Sequence, residues 1–118
     1  MSALALISDL FMQSQVVAAA GRAGVEIAIV AAEDALLAKA VSLSPRLVVV
    51  DLSHPGLDPR QLIKRLQPLL PPGATTVAFG PHVHKQRLAA AAEAGFGLVV
   101  SRGQFHADME AMLKRYAT

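Results

Sequence analysis

Five short apolar runs, at positions 3–7, 25–31, 47–50, 76–79 and 98–100, recur along the chain, and none alternates apolar with polar residues. Runs of this length and texture are the pattern of parallel strands covered on both faces, whereas a half-exposed strand alternates. The segments between them carry helical spacing instead. Val16, Val17 and Ala20 form one apolar stripe, and Leu36, Leu37, Ala40 and Val41 a second. Leu62, Ile63, Leu66, Leu69 and Leu70 form a third, and Leu88, Ala91 and Ala92 a fourth. Phe105, Met109, Met112, Leu113 and Tyr116 complete a fifth. Strand and helix therefore alternate from end to end, which predicts a doubly wound α/β domain.

The 118 residues suffice for one such domain over 1–118. With 53% hydrophobic and 17% charged residues the chain is expected to fold on its own. Net charge is only +2 and the eleven Lys and Arg residues are scattered, so neither nucleic acid nor an anionic membrane is an expected partner. The absence of cysteine excludes disulfides, thiolate metal sites and a catalytic thiol, and fits a cytoplasmic setting. The opening MSALALIS has no basic residue before its apolar run and reads as a first strand, and no stretch approaches the ~20 apolar residues of a membrane span. Gly21 and Gly24 are expected to break the first helix, Asp58-Pro59 to start the third, and Pro71-Pro72-Gly73 to end it.

Sheets of this kind bind ligands beyond the carboxyl ends of their strands. There the sequence places Ser8-Asp9, Asp51 with Leu52-Ser53-His54, Gly80-Pro81-His82-Val83-His84, and Ser101-Arg102. Either aspartate alone fits an ordinary turn or helix cap. Together on neighbouring strands they would repel, and so either raise one pKa or hold a divalent cation.

The segments LISDLFMQSQV, LVVVDLSHPGLDPRQLI, TVAFGPHVHKQRLAAAAEAG and FGLVVSRGQF fall in the order and spacing of response-regulator receiver domains, and the chain resembles that family over essentially its whole length. It looks most like short bacterial receiver-like proteins with a DLF element after the first strand. The resemblance implies a flavodoxin-like (βα)5 three-layer sandwich with strand order 2-1-3-4-5. It also implies that Asp51 is the phospho-acceptor, that Asp9 is one of two acids holding Mg²⁺, and that Ser53 lends a backbone carbonyl to the ion. Ser8 stands where the other acid would be, Gly80 where a Ser or Thr hydroxyl would meet the phosphoryl group, Leu98 where an aromatic switch residue would lie, and Ser101 where a lysine would be.

These departures lead to the expectation of a pseudo-receiver: a signalling module without enzymatic activity, working through a protein partner such as a histidine kinase, weakly phosphorylated or not at all. The alternative is an atypical regulator phosphorylated at Asp51 with Mg²⁺ on Asp9. Arg102 is the expected substitute for the lysine, aiming a bidentate guanidinium at Asp51 or Asp9. The alanine-rich fourth helix and the fifth helix offer a face for homodimerisation. A metal or small-ligand site built from His54, His82 and His84 is a third reading. Leu10, Phe11 and Met12 after the first strand either form an exposed apolar lip for a partner or pack inward, and inward packing is the expectation for Phe11 and Met12. A mononucleotide cofactor is not expected, because Asp9-Leu10-Phe11-Met12 replaces the glycine-rich phosphate loop that such cofactors need.

Overall fold

A computed structural model describes residues 2–118. The elements follow the order β1 (Ser2–Leu6), α1 (Leu10–Ala23), β2 (Glu26–Val30), α2 (Glu33–Leu43), β3 (Leu47–Asp51), α3 (Pro59–Leu66) with a 3-10 turn at Gln67–Leu69, β4 (Thr75–Gly80), α4 (Lys85–Ala94), β5 (Leu98–Ser101) and α5 (Arg102–Tyr116). The five strands form one parallel sheet in the order β2-β1-β3-β4-β5, the expected flavodoxin-like arrangement. β1 feeds β2 on one side, and the chain then crosses back to place β3 on the other.

Alternate strand residues serve opposite faces. Ala3, Ala5, Val49, Val77 and Phe79 pack with Met12, Val16 and Ala20 of α1 and with Phe105, Met109 and Leu113 of α5. Leu4, Leu6, Val48, Val50 and Ala78 pack with Leu36 of α2, Leu62, Ile63 and Leu66 of α3, and Ala91 of α4. Three layers result, with two helices on one face and three on the other. The Phe79 and Phe105 rings stack at 4.3 Å between centroids, joining the carboxyl end of β4 to the first turn of α5.

The helix ends follow from local chemistry. Asp58 caps α3 by accepting from the Arg60 and Gln61 N–H groups, and Pro59 fills the first helical position, where no N–H is needed. Gly24 closes α1 in the left-handed region at φ 71°, a conformation that disfavours any residue with a Cβ.

Four expectations need correction. Only β3 is buried throughout, and β1 and β4 are buried but for their first residue; β2, at an edge, is exposed or half-buried at every residue, and β5, at the other edge, is mostly half-buried. α1 runs through Gly21, and Gly24 alone ends it. Val17 and Val41 turn to solvent, because the buried stripes of their helices run through Val16, Ala19 and Ala20 and through Leu36 and Ala40. Finally, α3 stops at Leu66, and Pro68 lies within the tighter turn that carries Leu69 outward.

Truncating Phe79, fully buried between the sheet and α5, is expected to cost about 3–5 kcal/mol in urea denaturation, whereas Val17→Ala and Val41→Ala stay within about 0.5 kcal/mol.

Candidate functional site

The crossover between β1 and β3 leaves a crevice at their carboxyl ends, because the connections leaving these neighbours run to opposite sides of the sheet. β3 delivers Asp51 to this edge. Its backbone still belongs to the sheet, in register with Phe79, so the carboxylate is held rigidly and is only 3% exposed. Oδ1 accepts the Ser53 N–H at 2.8 Å. Oδ2 has no hydrogen-bond partner among the described residues, and it is not one of the atoms sealed from solvent.

Asp9 lies just beyond β1 and does two jobs. It caps α1, with Oδ1 accepting the Phe11 N–H at 2.9 Å, and its Oδ2 receives Nη2 of Arg102. A carboxylate is favoured at the positive end of a helix, whereas a cation in the first turn, where Arg102 sits in α5, is disfavoured. Pairing the two relieves the second at no cost to the first. The Arg102 hydrogen bond, helped by backbone N–H groups at the start of α1, holds the Asp9 carboxyl below its ordinary range, against an opposing effect of desolvation. The sequence left Asp9 and Asp51 open as targets for Arg102. The structure selects Asp9, through one nitrogen rather than the expected two-pronged grip.

Ser101, which the resemblance sets where a lysine would be, has a structural role of its own. It is the N-cap of α5, and its hydroxyl accepts the Gln104 N–H at 3.1 Å. Ser8, in place of an acid, hydrogen-bonds Nδ1 of His54 at 2.7 Å. This pair fastens the loop after β1 to the loop after β3, across 46 positions of sequence, and no local pattern announced it. Gly80 ends β4 beneath Leu52 and Leu88: a Cβ there would lie 3.4 Å from Leu52 Cβ and 3.6 Å from Leu88 Cδ2. Leu98 sits at the start of β5, half-buried against the core shared with α1 and α5.

Among the described residues no group of three or more His, Asp or Glu side chains is placed to hold a metal, so His54, His82 and His84 are not gathered into one centre. His82 instead lines an open groove of about 400 Å³ with Phe11, Met12, Pro81, Arg102, Gly103 and His106. Met12 packs inward as expected, but Phe11 does not. With Asp9 as the cap, Leu10 and Phe11 occupy the first two positions of α1 on its outer side, 77% and 66% exposed. No helix among the described residues is long and apolar enough to cross a membrane.

No family model and no curated protein matches the sequence. Solved structures do match the fold. The receiver domain of a sensor histidine kinase from Pseudomonas aeruginosa, crystallised with a magnesium ion in its active-site cleft, superposes with a TM-score of 0.80 at 15% identity, over 98% of this chain and 96% of that one. The chemotaxis response regulator CheY4 of Vibrio cholerae gives 0.79 at 16% identity, over 98% and 97%. NtrX from Brucella abortus gives 0.81 at 21% identity, over 98% of this chain and 26% of that one. The fold is therefore that of the receiver domains.

Replacing Arg102 by Ala is expected to return the Asp9 pKa toward its ordinary range in a carboxyl-carbon NMR titration. Because the folded-state pKa is depressed, the stability due to this pair is complete above the ordinary carboxylate range and lost as pH falls through the depressed value. Wild type and variant should therefore converge in stability in acid, and a difference that stays constant from about pH 7 to about pH 2 contradicts the pairing.

Proposed function

We propose that the protein is a receiver-type signalling module that works by binding a protein partner, with phosphorylation weak or absent. The observation that carries this reading is the Arg102–Asp9 ion pair. A receiver pocket assembles a divalent cation, an acceptor aspartate and groups that neutralise the phosphoryl oxygens, and transfer depends on that positioned charge. Here a side chain from the same molecule already neutralises one carboxylate of the pocket. Ser8 brings no second acid, Gly80 has no hydroxyl, and the Ser101 side chain is committed to capping α5.

Magnesium fits this donor set only weakly. Asp51 and the Ser53 carbonyl would serve as ligands, but Asp9 joins them only by leaving Arg102. When bound, the ion would supply charge neutralisation at Asp51. The chain's own residues position that carboxylate and restrain the two loops around it. A partner of the histidine-kinase type belongs to the same reading, as does action as a binding module and not as an enzyme. Self-association through α4 and α5 is a further possibility within it, and neither nucleic acid nor a membrane is among the proposed partners.

One observation favours the second reading, an atypical regulator phosphorylated at Asp51: the Oδ2 oxygen, at the carboxyl edge of the sheet, has no hydrogen-bond partner among the described residues. The two readings part in a single experiment. With Mg²⁺ and acetyl phosphate, intact-mass measurement is expected to show no gain within minutes, and a rapid gain that Asp51→Asn abolishes would establish the second reading. Removing the competing guanidinium in Arg102→Ala is expected to tighten Mg²⁺ binding by about fivefold or more in calorimetric titration.

A further inference from the structure

The peptide group between Leu52 and Ser53 is held at both ends. Its N–H, from Ser53, donates to Asp51 Oδ1 at 2.8 Å. Its C=O, from Leu52, accepts Nη1 of Arg87, in the first turn of α4, at 2.9 Å. A peptide group is a rigid plane, so its N–H and C=O cannot reorient independently. The acceptor carboxylate and α4 are thus joined through one stiff plate, with the side chain of Asp51 on one edge and the guanidinium of Arg87 on the other.

The neighbouring contacts make this plate a lever rather than a loose loop. Leu52 is buried, and its own N–H bonds the Phe79 carbonyl at 2.8 Å, which fixes the residue to β4. Leu88, beside Arg87 in α4, converges with Leu52 over Gly80, at the place a side chain on residue 80 would occupy. Two consecutive residues of α4 therefore act on Leu52, one by a hydrogen bond and one by apolar packing. α4 has little else to fix its start, since its N-cap His84 makes no side-chain capping bond.

We propose that Arg87 is a positioning residue that couples the state of the Asp51 carboxylate to the start of α4, through the Leu52–Ser53 peptide and in place of a hydroxyl at position 80. Any event that draws Oδ1 away from Ser53 tilts the plate and loosens the hold of Arg87 on α4. The use of this link in signalling rests on the proposed function, but the link itself is a property of the protein alone.

The test accordingly uses the full chain with no cation and no phosphodonor. Arg87→Ala, a change at the surface, is expected to speed hydrogen exchange of the Ser53 amide by about tenfold, with Arg87→Lys restoring part of the protection. In the reverse direction, Asp51→Ala is expected to shift the amide resonances of Lys85–Leu88 when Arg87 is present and to leave them unchanged in the Arg87→Ala background. Asp51→Asn, which retains an acceptor oxygen, should shift them less, and it carries the same comparison if the alanine variant does not fold. An unaffected Ser53 amide in Arg87→Ala overturns the proposal, as does an α4 response of equal size in both backgrounds. Failure to bind Mg²⁺ or a phosphoryl group bears on the proposed function and leaves these readouts untouched.

Discussion

Burial of β3 on both faces is the constraint on which the rest of the molecule depends. All five of its residues are buried, and the strand sits at the centre of the sheet between β1 and β4. Four of them are aliphatic and supply both cores, so the strand has no freedom to slip: a shift along β1 or β4 would exchange the side chains of the two faces. The fifth is a carboxylate. Such a group is tolerated at the end of this strand only because the crevice and the Ser53 N–H receive it. The position of Asp51 is thus a by-product of the packing that holds the domain together.

Around that fixed point the charges are arranged for self-sufficiency. Asp9 is satisfied by a helix start and by Arg102, and Ser8 and His54 satisfy one another. What remains without a hydrogen-bond partner among the described residues is one oxygen of Asp51, framed by loops that are tied together from several directions. At the carboxyl edge of the sheet, Asp9 carries a cation supplied by the chain itself, the Arg102 guanidinium.

The fold was legible because burial in a parallel sheet leaves a coarse, repeated mark on sequence: uninterrupted apolar runs for the strands and spaced apolar residues for the helices. The mark is faintest at the sheet edges. There 25–31 and 98–100 look like inner strands, although neighbours cover only part of them. Among the site residues, Asp9, Asp51 and Arg102 could be picked out because charged groups at strand ends are conspicuous. Which aspartate the arginine joins depends on where α5 begins, a matter of one residue that apolar periodicity does not resolve. Leu10 and Phe11 were harder for a similar reason. Their orientation is fixed by Asp9 acting as the cap, and a shift of the helix start by one position would turn the pair by about 100°. The Ser8–His54 and Arg87–Leu52 contacts left no mark, since they join residues 46 and 35 positions apart through groups common on any surface.

The capping role of Ser101 has a consequence for how such a domain can change over evolutionary time. A single substitution to lysine there would strip α5 of its side-chain acceptor, a loss of about 1 kcal/mol. It would also set a second positive charge next to Arg102 at the end of the helix least suited to one. A lysine at position 101 thus lowers stability whatever it adds to this edge of the sheet. The start of α5 thus holds position 101 to a short side chain that can accept a hydrogen bond.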